Sequence, residues 1–527
     1  MRSALLGGSL LRRALAARGL RDGAGETAAA QGRTYSASGE PLRTDVAIVG
    51  AGHNALVAAL LLARQGLRVD VFEAAPVVGG ACRTEHPFQK VPGLGHSTGG
   101  RYLLFGSDRA AMRDQFVKFF SKEDWQANEA MQAEISAIRD DVAPSWLRPP
   151  LSLEETAEAF VRPALRGAFL ELCRQPAAEY VAKFGFKSDL LKVMYAVTDG
   201  FSGLNGGWDT PGTGLNFLAH NMCRLPGSDG TWMVVEGGMG TVTQQLAAAA
   251  IAAGARIRTS APVASIEAAG GAAAGVVLAD GTRVAARAVV GGCDPFRLRE
   301  LAGASAFPPA FNARLDGMRK DGTTMKVNLA LKALPTFKCL PQPLGQHGTT
   351  THLLPDESEV VDVITQGFRD VQEGRLPEFP TIEWYFHTTV DPSVQDPAGH
   401  HSSALFVQWV PFELAGTTWE AEEARYVDKL LAICDRFAPG TSDLVADTFT
   451  LTPPKIESYF GITRGHIHHV DNGFGFDQRF PYRTPMEGLY SASAGTHPAG
   501  SVIGAAGHNC AAEVVRDLGL KPHWATA

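Results

Sequence analysis

The stretch Thr44–Ala74, TDVAIVGAGHNALVAALLLARQGLRVDVFEA, decides the fold. Its hydrophobic pattern changes from strand-like to helix-like at the glycines. Asp45 to Val49 reads as a buried parallel strand, His53 to Gln65 as a helix ended by Gly66, and Arg68 to Phe72 as a second strand. Gly50 and Gly52 let the chain turn tightly, so that the backbone of Ala51, His53 and Asn54 approaches a pyrophosphate whose charge the helix N-terminus stabilises. Glu73, followed by Ala74, closes the second strand and is placed to accept both ribose hydroxyls. Ala55 replaces the third glycine and is small enough for close helix packing. A glycine turn alone is weak evidence; the order strand, turn, helix, strand, acid is specific.

Immediately downstream lies AAPVVGGACRT, in which Gly79 and Gly80 give a flexible loop and Arg83 a cation near the phosphates. This segment resembles the second FAD motif of the amine-oxidase and phytoene-desaturase superfamily, which implies FAD as the cofactor. The block from Trp232 to Pro295 predicts a helix from Thr241 to Ala253 after Glu236-Gly237-Gly238-Met239-Gly240. Short strands follow at Arg256–Thr259, Pro262–Glu267, Gly275–Ala279 and Arg283–Val290. The resemblance implies that this unit re-enters the FAD domain and that Val263 meets the adenine through its backbone; a plain hairpin is the other reading of the pattern.

Near the C-terminus, Gly488–Ala512 reads GLYSASAGTHPAGSVIGAAGHNCAA: a strand, a Gly-rich turn from Gly495 to Ser501, and a small-residue helix from about Ile503 that aims backbone N–H groups at a ligand. It resembles the closing signature of the phytoene-desaturase-like carotenoid and retinoid oxidoreductases, with Ala499 and Ser501 where glycine is common and Ala506 where proline is. By this resemblance Gly495, Thr496, His497, Val502 and Ile503 contact the flavin end of FAD. The implied fold is α/β, a Rossmann-type FAD-binding domain of parallel sheet plus β-meander, interleaved with an α+β substrate domain. The expected boundaries are 44–100, 232–300 and 460–520 for the FAD domain, 101–231 and 301–459 for the substrate domain, and 521–527 for a tail. After 96–102 the family carries several dozen residues that this chain skips, as a splice variant would.

Flavin supplies the redox chemistry, so few catalytic side chains are needed. Lys326, in GTTMKVNLAL at a predicted strand start, matches a lysine that holds water beside the flavin in amine-oxidase relatives; a solvated strand-edge lysine is the alternative. Among Arg464-Gly465-His466-Ile467-His468-His469, the resemblance places His469 at the flavin pocket, and His466 and His468 are expected at the surface; the set lacks the companion ligands of a metal site. The aromatic-rich strands Ile382–Phe386 and Leu405–Trp409 either face the substrate or pack in the core. Such pockets are mostly apolar, with few polar anchors.

Residues 1–35 hold six Arg against Asp22 and Glu26, with alternating Leu and Ala, which is a transit-peptide composition; 36–43 reads as linker. A disordered basic tail is the other reading. The expected destination is the mitochondrial matrix, beside or on the inner membrane, with no membrane-spanning segment. The whole chain's net charge of −7 places the remainder near −7 − 4 = −11, which argues against a nucleic-acid partner. Seven well-separated cysteines, Cys82, Cys173, Cys223, Cys293, Cys339, Cys434 and Cys510, provide no closely spaced redox pair. The chain therefore reads as a flavin-dependent dehydrogenase, oxidase or desaturase acting on a small molecule, with oxygen or a quinone as electron acceptor. A flavoprotein without turnover that partners other mitochondrial proteins is the alternative.

Overall fold

A computed structural model describes residues 42–84, 103, 109–222 and 235–524. The leader at 1–35 and the stretch 96–102 lie outside the described residues. Strand β1 (Leu42–Val49), helix α1 (His53–Arg64) and β2 (Val69–Phe72) form the expected opening unit, with β1 starting inside the segment read as linker. Helix α2 (Gly240–Ala252) leads into β3 (Arg256–Arg258), β4 (Val263–Ala269), β5 (Ala272–Leu278) and β6 (Arg283–Gly291). After β7 (Thr324–Leu331), β8 (Thr351–Leu353), β9 (Thr381–Phe386) and β10 (His401–Gln408) come helix α3 (Trp419–Phe437) and β11 (Val445–Leu451). The chain closes with β12 (Leu489–Ser491) and helix α4 (Ala505–Asp517).

The first sheet runs β3-β2-β1-β6-β5-β4, with β12 also on β6. Strands β3, β2, β1, β6 and β12 are parallel, and β4 to β6 form an antiparallel meander. The two kinds of pairing share one edge of β6: β5 takes its first half (Val276 against Val284), and β12 its second (Leu489 against Val289). A chain segment some two hundred residues beyond β6 is thereby seated on it, with β1 on the opposite edge. Val46, Ile48 and Val71 bury one face of the sheet against Leu56, Ala59 and Leu62 of α1 and Val514 of α4. The alanine- and leucine-rich sequence of α1 suits a helix enclosed by both sheet and helix.

The second sheet, β11-β7-β10-β9-β8, is antiparallel. Strict alternation gives it two unlike faces. Met325, Val327, Leu329, Trp384, Leu405 and Val407 bury against Tyr426, Leu430 and Cys434 of α3. Lys326, Glu383, Tyr385 and Phe406 rise on the other side. The aromatic strands thus do both things their sequence allowed, Trp384 filling the core while Tyr385 and Phe406 face away from it. Helices between 109 and 222 enclose a further core around Phe169, Tyr180 and Phe217. Between the helices lies a π-helical turn, Ala196–Phe201.

Candidate functional site

At the end of β1 the backbone enters the left-handed region at Gly50 (φ +89°), and its N–H donates to the Phe72 carbonyl at 2.7 Å. Helix α1 then starts at Gly52 with no side-chain cap and no acid in its first turn, so its leading N–H groups stay open to an anion. Gly79 and Gly80 also have positive φ, and Gly79 N–H donates to Ala51 O at 2.8 Å. A Cβ on Gly80 would lie 3.4 Å from Gly52 Cα, so the two glycine turns touch backbone to backbone. Glu73 closes the arrangement: its carboxylate accepts from Ala51 N–H at 2.6 Å and Ala75 N–H at 2.9 Å. Ala55 fits because Gly292 opposes it; a Cβ there would come within 2.7 Å of Ala55 Cβ.

The C-terminal glycine turn arrives at the same place. His53 Nε2 lies 3.1 Å from the Ser501 carbonyl oxygen, and its other nitrogen 3.5 Å from Cys82 Sγ. Helix α4 packs so closely on α1 that a Cβ on Gly507 would stand 2.1 Å from Asn54 O. Buried Arg479 holds this turn from beneath, donating to the carbonyls of Val470, Asp471, Ala494 and Thr496, and burial lowers its pKa to about 10. Gly495 and Thr496 are buried behind the turn, Ile503 is half-buried, and Val502 is 45% exposed. Burial holds the imidazoles of His53 and His497 neutral, each with its pKa lowered to about 4.

His469 joins this group. Its Nδ1 lies 3.1 Å from Ser493 Oγ, and burial lowers its pKa. His466 and His468, expected at the surface, are buried. His466 Nε2 lies 3.3 Å from Asp471, and His468 stands between the carbonyl oxygens of Gly500 at 2.7 Å and Ser202 at 3.0 Å. Closely spaced imidazoles resemble solvent-facing polarity in sequence; only the tertiary structure shows the carboxylate beside His466 and the carbonyls beside His468. Among the described residues no cluster of His, Cys, Asp and Glu is disposed to hold a metal ion.

Around the rim, the Arg83 guanidinium lies over Tyr459 and Phe460, 5.1 and 5.3 Å from the ring centroids. Thr84 Oγ1 accepts from Gly240 N–H at 2.8 Å and donates to Gly237 O, tying the second glycine loop to the start of α2. Val263 opens β4 just beyond Ala261, whose N–H donates to Glu73 O at 2.9 Å. Ala74 is exposed beside it. The Gly237 and Gly238 N–H groups donate to Asp391, which follows β9 and anchors the second sheet to this rim.

Lys326 stands on the polar face of the second sheet, opposite Phe406 in the register. Its Nζ sits 4.8 Å from the Tyr385 ring centroid, and burial lowers its pKa to about 8. Tyr385 donates to Glu383, whose pKa burial raises to about 7. Glu383, Tyr385 and His387 were missed in sequence; the one available signal was an acid inside the otherwise apolar run TIEWYF.

Known proteins agree with this geometry. Residues 48–119 match the NAD(P)-binding Rossmann-like domain model. Over 552 residues the chain is 32% identical to mouse pyridine nucleotide-disulfide oxidoreductase domain-containing protein 2, covering 90% of this chain and 94% of the relative. The chain belongs to that oxidoreductase family. Hydroxyneurosporene desaturase of Cereibacter sphaeroides is 25% identical, covering 90% of this chain and 98% of its own. A solved structure of wild-type putrescine oxidase bound to putrescine shares the fold at TM-score 0.51 and 15% identity, covering 91% of this chain and 99% of that one. The alignment to the mouse member of the pyridine nucleotide-disulfide oxidoreductase domain-containing protein 2 family is longer than the 527-residue chain, so that member carries residues absent here. Despite the family name, Cys82, Cys173, Cys293, Cys434 and Cys510 are free, and burial raises the Cys82 thiol to about 11.

Proposed function

We propose that the chain is an FAD-dependent oxidoreductase of the mitochondrial matrix acting on a small organic molecule and passing electrons to oxygen or a quinone. One observation carries this reading: the glycine turn after β1 and the glycine turn before α4 meet at His53 and Ser501, 3.1 Å apart. The residues present fit the cofactor. The start of α1 is uncapped, and the buried Asn54 Oδ1 and His497 Nδ1 have no hydrogen-bond partner. The backbone of 50–54 with Gly79, Gly80 and Arg83 would hold the pyrophosphate, Glu73 the ribose and Val263 the adenine. Gly495, Thr496, His497, Val502 and Ile503 would hold the flavin end.

Bound flavin supplies hydride acceptance. The chain's own task is to orient the substrate, exclude water and manage a proton; Lys326, with its depressed pKa, can hold a proton near neutrality, and the neutral His469 lies at the cofactor end. Residues 44–100, 232–300 and 460–520 are assigned to the FAD domain and 101–231 and 301–459 to the substrate domain, a division supported by the separate sheets of β1–β6 with β12 and of β7–β11. No helix among the described residues is long and apolar enough to cross a membrane. Import is tested by fusing 1–35 to a fluorescent reporter, which is expected to enter mitochondria and lose the leader.

Purified protein is expected to bind FAD one to one, to bleach anaerobically with a substrate and to recolour in air. Protein that takes up no flavin refutes the reading. A second reading, a flavoprotein without turnover that serves other mitochondrial proteins, is favoured by the residues this chain lacks relative to its mouse relative. Flavin that binds yet stays oxidised with every metabolite accumulating in cells lacking the protein would establish that alternative.

A further inference from the structure

The polar face of the second sheet holds an acid and a base that make no contact with each other. The register row His352, Glu383, Phe406, Lys326 crosses four strands, so these side chains rise from one side of the sheet. Glu383 is only 7% exposed. Its Oε2 accepts from the Tyr385 hydroxyl. Among the described residues Oε1 takes no hydrogen bond, and Lys326 Nζ makes none and no ion pair. The ammonium instead lies against aromatic rings, 4.8 Å from the centroid of Tyr385 and 5.9 Å from that of Phe406. His387 lies parallel to Tyr385 with ring centroids 6.2 Å apart, extending the aromatic wall.

A structural ion pair would bring acid and base into contact; here the β10 strand and the Phe406 ring separate them. Glu383 is buried while Lys326 is only part-buried, so this face keeps an acid and a base apart and open instead of closing them into an ion pair. The other face of the same sheet, packed with aliphatic and aromatic side chains, shows what a finished core looks like here. Opposite the polar face stands the π-helical turn Ala196–Phe201, which meets it where Thr198 Oγ1 lies 3.1 Å from His352 Nε2. Such turns occur frequently at functional sites. His352 Nδ1 is a further buried nitrogen without a partner.

We infer that Glu383 and Lys326 form the head-group site for an otherwise apolar substrate bearing a hydroxyl or an uncharged amine. This rests on the oxidoreductase reading, whose substrate class it names. The acceptor on one side and the donor on the other select a neutral group that both donates and accepts. Glu383 Oε1 takes the head group's hydrogen, Lys326 faces its lone pair, and the rings of Tyr385, Phe406 and His387 flank the adjoining carbon chain. A carboxylate head is repelled by Glu383 and a permanent cation by Lys326, while a pure hydrocarbon leaves both without partners. Burial brings the acid up to about 7 and the base down to about 8, so both exchange protons near neutrality.

The test uses FAD-loaded full-length protein titrated at pH 7.5 with 1-decanol, decyltrimethylammonium, decanoate and 1-decene, read by calorimetry and tryptophan fluorescence. Decanol, the neutral head group that both donates and accepts, is expected to bind at least about tenfold more tightly than decene, decanoate and decyltrimethylammonium. Glu383→Leu and Lys326→Met are each expected to reduce that preference about tenfold or more. Equal binding of all four probes, binding of none, or a preference untouched in both variants overturns the proposal. FAD content, read separately from visible absorbance, reports on the cofactor reading: lost flavin uptake with head-group preference intact counts against that reading and not against this one.

Discussion

A Cβ placed on Gly52 would meet no protein atom within 4 Å, and its φ of −69° is one that any residue adopts. Folding therefore gives no reason for glycine here, whereas a bound pyrophosphate does. Gly52→Ala is expected to leave the melting temperature of the cofactor-free protein within about 2 °C of the parent and to weaken FAD binding tenfold or more, read by flavin fluorescence quenching. An unaltered affinity removes this turn from the cofactor site. Lys326 makes a different kind of statement, about pH. Burial lowers its folded pKa to about 8, below the 10.5 of the unfolded chain. Between these values the unfolded state binds the proton and the folded state does not, so this group makes stability rise with pH across that window. Below pH 8 the folded protein carries a buried ammonium, and Lys326→Met is expected to be more stable than the parent there. The advantage should shrink as pH rises from 8 to 10.5, as paired thermal melts would show.

Helix α4 approaches α1 across Gly507, where an added Cβ would sit 2.1 Å from the Asn54 carbonyl oxygen. Gly507→Ala must push the two helices apart, and overpacking of this sort costs about 1–3 kcal/mol. The expected result is a lower denaturation midpoint in urea together with weaker FAD retention, because the same displacement separates Ser501 from His53. Lost stability with full retention would show that the helix contact and the cofactor site are independent. Elements that follow a strict period were readable in sequence: the helix expected at His53–Gln65 is α1, and the one expected at Thr241–Ala253 is α2. Their periodicity and glycine stops are local properties of the chain. Two kinds of feature were not readable. His466 and His468 are polar by type and buried by tertiary partners, and Glu383 gains its meaning from Lys326 two strands away.

In the complete molecule, the proposed cofactor site draws on segments near 50, 80, 240, 263 and 500, and the first sheet holds the first and last of these together by pairing both β1 and β12 with β6. The resemblance to flavoproteins made this closure legible in advance, although the pattern of any single segment could not. Coupling follows from the geometry. A ligand that binds only the folded state stabilises it by RT ln(1 + [L]/Kd), about 2.7 kcal/mol at a hundredfold excess over Kd. Because both chain ends contribute, that stabilisation must reach amides at both ends and not only those of the opening β1-α1-β2 unit. Hydrogen exchange with and without FAD is expected to slow together at 50–54, 79–84 and 495–503, while α3, on the far side of the second sheet, changes little. Protection confined to 50–54 would mean that the N-terminal turn binds a nucleotide by itself and that the contact between His53 and Ser501 only packs the fold.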